Sequence, residues 1–155
     1  MQINQSFLDK IKLNEGCKKY QILKGIFRSG KFYPYKDHLG NYTIGYGHYL
    51  GNQYDNYRDG ITEQDADELL EQDVNKALMQ TKTWVDLSIH PQPIQELLVE
   101  MVFQLGIGSA KKFKRFKAAI DNKQYDLAAQ HLTESLWFKQ TPNRVNAHIN
   151  VLNEA

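Results

Sequence analysis

Tyr35-Lys36-Asp37-His38-Leu39-Gly40-Asn41-Tyr42-Thr43-Ile44-Gly45-Tyr46-Gly47-His48 decides how the N-terminal half of this chain folds. Aromatic and β-branched residues punctuated by glycines, with Gly51 just beyond, predict a short antiparallel meander from Tyr33 to Leu50 that turns at the glycines. The segment carries a carboxylate at Asp37, a hydroxyl at Thr43 and an imidazole at His48, while a second carboxylate, Glu15, stands upstream in Asn14-Glu15-Gly16.

Helical patterns flank this β region on both sides. Ser6 with Asp9 resembles a capping box, and Phe7, Leu8 and Ile11 recur at helical spacing, so a short helix is expected over residues 6 to 14 with Glu15 at or just past its end. Thr62 precedes an acid-rich first turn suited to the positive end of a helix dipole, and the stripe Leu69, Leu70, Val74, Ala77 and Leu78 carries that helix to about Thr81. After Pro91 and Pro93, the residues Ile94, Leu97, Leu98, Met101, Val102 and Leu105 make the strongest apolar stripe, closed by Gly106 and Gly108. This predicts a central buried helix. Shorter helices are expected over 110 to 121, 125 to 132 and 134 to 139, and Thr141-Pro142 offers an N-cap and first position for a last one.

Composition narrows the function classes. The 155 residues carry 19 basic and 18 acidic side chains, a net charge of +1, so no global field points to nucleic acid. The run Lys111-Lys112-Phe113-Lys114-Arg115-Phe116-Lys117 has apolar partners at helical spacing and reads as an amphipathic helix with a solvated face. A single cysteine, Cys17, excludes an intrachain disulfide framework and fits a reducing cytosol. The N-terminus lacks the regions of a signal peptide, and no apolar run approaches a membrane span. His38, His48, His90, His131 and His148 are scattered, so neither a metal nor another cofactor is expected.

Four motifs in the same order over nearly the whole chain carry a family resemblance: Glu15-Gly16, the segment from Tyr35 to His48, Met101-Val102-Phe103-Gln104-Leu105-Gly106, and Trp137-Phe138-Lys139-Gln140-Thr141-Pro142-Asn143-Arg144. Together they resemble the phage T4-type lysozymes, muramidases of glycoside hydrolase family 24. The resemblance implies an α+β, mainly helical lysozyme-like fold: a β-containing lobe over residues 1–61, a linking helix over 62–81, a helical lobe over 82–155, and a substrate cleft between the lobes. It implies hydrolysis of the β-1,4 bond between N-acetylmuramic acid and N-acetylglucosamine in bacterial peptidoglycan.

The residue types suit those roles. Glycoside hydrolysis needs one protonated carboxyl to donate to the leaving oxygen and one ionised carboxylate to hold water or stabilise the cation. Glu15 at a helix end facing a cleft fits the acid, and Asp37 on a wet turn beside Lys36 fits the charged partner. Thr43 would hold the attacking water with Asp37, an arrangement that in T4-type enzymes goes with inversion at the anomeric carbon. Outside this context Glu15 reads as a solvated surface acid, Asp37 as a turn residue and Thr43 as a β-branched strand residue. The resemblance also pairs His48 with Asp73 to lock the β lobe to the linking helix, and sets Arg144 opposite Glu15 as its anchor. Phe103, Gln104, Gln140 and Thr141 match family positions for sugar contact, and Tyr49, Phe116 and His131 stand where the family lines its cleft.

Two features depart from the family pattern. The stretch between Glu15 and Asp37 is longer, the extra part lies around Gln21 to Phe32, and it is basic and aromatic with Lys24, Arg28 and Lys31. It reads as a solvated hairpin extension, as a clamp for anionic wall polymer or lipopolysaccharide, or as a lid that touches the glycan near the acid. The chain also stops soon after Leu152, where relatives usually carry another short helix. The expected role is a free phage endolysin, a monomer held in the host cytoplasm until release to the cell wall; a virion tail lysozyme and a non-catalytic glycan-binding module are the alternatives.

Overall fold

Asn4, not Ser6, starts the first helix: its side-chain oxygen accepts from the Phe7 backbone N–H at 2.9 Å, leaving Ser6 inside the first turn. In the computed structural model, which describes residues 1–37 and 39–155, this helix, α1, runs Gln5–Glu15 and buries Phe7 and Ile11. His38, part of the motif quoted above, lies outside the described residues. Gly16, at φ 92°, ends α1 directly after Glu15.

The longer stretch between Glu15 and Asp37 builds its own elements: a helix α2 over Lys18–Leu23, then strands β1 (Phe27–Arg28) and β2 (Lys31–Phe32). Ser29 and Gly30 both have positive φ, as a two-residue type I′ hairpin loop requires. The hairpin is not merely solvated. Phe32 is fully buried, its ring lies 4.7 Å from Phe27 and 5.3 Å from Tyr46, and its backbone pairs with Ile61 in both directions at 2.8 and 2.9 Å.

The expected meander follows as β3 (Tyr35–Lys36), β4 (Tyr42–Ile44) and β5 (His48–Tyr49), all antiparallel in the order β3-β4-β5. A single-turn helix α3, Tyr54–Tyr57, precedes α4, Glu63–Lys82. Thr62 caps α4 as its sequence suggested, its hydroxyl accepting from the Asp65 N–H at 3.1 Å.

A 3₁₀ turn over Leu87–Ile89 leads to α5, Gln92–Leu105, the helix predicted as central. Ile94, Leu97, Leu98, Met101 and Val102 are at most 1 % exposed, so truncating any of them to Ala removes about 2–5 kcal/mol. Gly106, at φ 79°, closes it.

The single helix expected over 110 to 121 is two, α6 (Ile107–Ala110) and α7 (Lys114–Asp121). Phe113 leaves helical geometry between them and turns its ring edge-on to Phe116 and Trp137. In α7 the basic run behaves as an amphipathic face: Phe116, Ala119 and Ile120 go inward, Lys114 and Arg115 stay in solvent, and Lys117 pairs with Asp121 at 2.6 Å.

The last helices are α8 (Tyr125–Thr133), α9 (Leu136–Gln140) and α10 (Pro142–Glu154), with α10 packed on α8, α9 and α5. Ser135 caps α9 by accepting from the Phe138 N–H at 3.1 Å. Thr141 occupies the N-cap position of α10, yet its hydroxyl donates back to the Trp137 carbonyl at 3.1 Å, and Pro142 supplies the preset first turn.

The chain thus forms an α+β fold, mostly helical with a small antiparallel sheet region. Its contacts divide it into two compact units, Ile3–Asn75 and Met1–Gln2 with Lys76–Ala155, the division falling inside α4. No helix of the described residues is long and apolar enough to cross a membrane.

Candidate functional site

The site is built on the β3–β4 pair. Their register sets Tyr35 opposite Thr43 and Lys36 opposite Tyr42, and directly opposed residues point to the same face of a sheet. The Thr43 hydroxyl, buried at 6 % exposure, donates to the Tyr35 carbonyl at 3.5 Å.

The Tyr35 phenol reports what surrounds it. Burial pushes its pKa up; a hydrogen bond with the Thr43 side chain works against that, and the charges of Glu15 and Asp37, with the Tyr20 phenol, raise it further. One hydroxyl therefore senses both carboxylates while bonded to Thr43. Glu15 at a helix end and Asp37 in a turn both act on it through space.

Asp37 closes the β3–β4 connection. Its Oδ1 accepts from the backbone N–H groups of Leu39 and Asn41, both at 2.9 Å, while its own N–H donates to the Asn41 carbonyl at 2.8 Å. The side chain is half-buried. This Asx-type turn fixes where the carboxylate stands.

Glu15 is set by three features. Gly16 stops α1 at that residue. Lys12 pairs with Asp67 at 2.7 Å and Lys18 with Glu63, so the first two turns of α4 grip the chain on either side of Glu15. Gly47, at φ 83°, lets the Glu15 side chain lie against the backbone: a Cβ there would come within 2.7 Å of Oε2 and 3.2 Å of the carboxyl carbon. Gly47→Ala is therefore expected to displace the Glu15 carboxylate, and the strained left-handed backbone costs about 1–2 kcal/mol, a loss that thermal melting of the variant against the wild type checks.

His48 and Asp73 meet at 2.8 Å, Nδ1 to Oδ2, with their side chains 22 % and 27 % exposed, so β5 is held to α4. Tyr49 beside it is 64 % exposed.

The remaining expected residues belong to the other unit. Phe103 and Gln104 are half-buried on the last turns of α5, and the side-chain amide of Gln104 has both polar atoms buried without a hydrogen-bond partner. Gln140 is exposed, Thr141 and Arg144 are half-buried, and His131 is half-buried with Nδ1 3.8 Å from a Glu134 oxygen. Phe116 departs from expectation. It is 1 % exposed and stacks at 6.4 Å on Trp84, so this ring is core packing and offers no face to a sugar.

Sequence reasoning missed Tyr35, Gly47, Tyr20 and Gln21. The period-2 pattern placing Tyr35 on the same strand face as Asp37 was the available signal for the first; the others depend on contacts between segments that no local pattern encodes.

The Phage lysozyme family model matches residues 27–150, a span that begins after Glu15. Two relatives from Dictyostelium discoideum are a probable T4-type lysozyme 2, 30 % identical over 145 residues with 78 % of this chain and 85 % of the relative covered, and a probable T4-type lysozyme 1, 28 % identical over 146 residues with 79 % and 86 % covered. The peptidoglycan hydrolase gp36 of Pseudomonas phage phiKMV is 32 % identical over 116 residues, covering 74 % of this chain and 13 % of that protein.

Proposed function

This chain belongs to the phage lysozyme family and is a lysozyme-type peptidoglycan hydrolase, and from that premise we propose that it is an endo-acting muramidase with Glu15 as general acid and Asp37 with Thr43 as the water-holding pair. The bond cut is the β-1,4 link between N-acetylmuramic acid and N-acetylglucosamine. The observation that supports the residue assignment is geometric: the Glu15 carboxyl lies against Gly47, three residues past the strand that carries Thr43, and the strand paired with it leads directly into Asp37.

In this reading Glu15 gives its proton to the glycosidic oxygen as the bond to the anomeric carbon breaks. Asp37 accepts a proton from a water that the Thr43 hydroxyl orients, and that water attacks the opposite face, so the configuration inverts. Arg144 is a supporting residue in this reading, and Tyr49, Phe103, Gln104, His131, Gln140 and Thr141 contact the glycan. The lobes are the β-containing residues 1–61 and the helical residues 82–155, joined by the helix 62–81.

The biological role we propose is host lysis by a monomeric endolysin, kept in the host cytoplasm and acting on the wall after release. A tail-associated lysozyme domain is the second reading, favoured by the small share of the phiKMV hydrolase that this chain covers. Digestion of purified peptidoglycan followed by mass analysis tests the chemistry: products ending in reducing N-acetylmuramic acid are expected. Products carrying 1,6-anhydro ends would replace hydrolysis with transglycosylation.

A further inference from the structure

The basic, aromatic segment after Glu15 is stapled to the catalytic region by one buried amide. Gln21 is 1 % exposed, and its Nε2 donates both to the Gly16 carbonyl at 2.8 Å and to the Gly45 carbonyl at 3.0 Å. The first acceptor adjoins Glu15. The second lies on the glycine turn after Thr43 and Ile44. Helix α2 is thereby fixed beside both the acid and the strand that carries the water-holding threonine.

The residue next to the staple is Tyr20. Its ring lies against Gly16, where an added Cβ would be 3.3 Å from the ring edge, and the Lys24 ammonium stands 5.8 Å from the ring centroid. The ring is nevertheless 51 % exposed. Its hydroxyl also acts through space on the Tyr35 phenol, the same group that senses Glu15 and Asp37. A half-exposed aromatic ring, packed on the glycine that follows the proposed acid and flanked by a cation, has the form of a sugar platform: the apolar face of a pyranose covers the ring, and hydroxyl and carbonyl oxygens meet the ammonium.

We propose that α2 is an added wall of the glycan-binding site, held in place by Gln21, with Tyr20 as a sugar-contacting platform and Lys24 as its polar partner. This rests on the muramidase reading above, since it places a glycan at Glu15. It assigns the longer segment between Glu15 and Asp37 to substrate binding rather than to a solvated extension.

The test uses soluble, uncross-linked peptidoglycan glycan strands and the variants Tyr20→Ala and Tyr20→Phe. Strand binding is measured in a Glu15→Gln background and turnover in the otherwise unaltered chain. Because Tyr20 is half-exposed and the Gln21 staple stays, both variants fold. Tyr20→Ala is expected to weaken strand binding and raise KM by about tenfold with kcat within about twofold, and Tyr20→Phe, which keeps the ring, is expected to restore most of the affinity. Active wild type with unchanged strand affinity in Tyr20→Ala overturns the platform and leaves the muramidase reading intact. A fall in kcat alone also overturns it, because Tyr20 would then only support Glu15. A wild type that releases no product yet binds strands through Tyr20 keeps the platform and sinks the hydrolytic reading, and a wild type that neither binds nor cuts sinks both.

Discussion

Replacing Glu15 by Gln lowers kcat on peptidoglycan by about two to four orders of magnitude, the usual contribution of a positioned proton donor. The substitution keeps the length and polarity of the side chain, so it keeps the approach to Gly47 that Glu15 Oε2 makes. What is lost is the proton. Affinity for glycan strands is expected to stay within about threefold, because a change confined to the transition state lowers kcat without moving ground-state binding. The pair of measurements separates chemistry from architecture: a Glu15→Gln protein that still turned over at a tenth of the wild-type rate would remove Glu15 from the role of acid, whatever the fold. Thermal stability should remain near wild type, since Lys12, Lys18, Asp67 and Glu63, which position this end of α1, are untouched.

Much of the fold was readable because its strongest elements are set locally. The α5 stripe, the Thr62 cap and the glycine-punctuated meander each carry their own instruction in spacing and residue type. Errors came where tertiary packing overrode that instruction. Ser6 and Asp9 made a plausible capping box, yet Asn4 lies where the chain enters α1 and takes the cap. The helix expected across residue 113 breaks where Phe113 leaves helical geometry and packs its ring edge-on to Phe116 and Trp137. The hairpin after Glu15 was legible as an extension, but helix α2 and the burial of the segment were hidden for a related reason: Gln21 and Phe32 look unremarkable in sequence, and only their long-range partners, Gly45 and Ile61, make them structural. The candidate site divides in the same way. Asp37, Thr43 and His48 sit in one motif and are legible together, whereas Gly47 matters because of a carboxylate thirty-odd residues earlier, and the burial of Phe116 is set by packing that its position in the motif order does not reveal.

Asp37 offers the sharper discrimination, because its carboxylate does two jobs that different substitutions separate. Oδ1 accepts from the N–H groups of Leu39 and Asn41 and so shapes the turn. In the proposed mechanism Oδ2 takes the proton from water. Asparagine retains a carbonyl oxygen that accepts both backbone bonds, but its amide nitrogen cannot receive a proton. Asp37→Asn should therefore melt within about 1 kcal/mol of wild type while kcat falls by about two orders of magnitude or more. Alanine removes both functions, so Asp37→Ala should match the activity loss and add about 1–3 kcal/mol of destabilisation, as two backbone donors lose their charged acceptor. Equal stability of the two variants would mean that the turn does not depend on the side chain. A fully active Asp37→Asn would mean that the water is activated elsewhere, and Thr43, bonded to Tyr35 on the same strand face, would have to be reread as a strand residue.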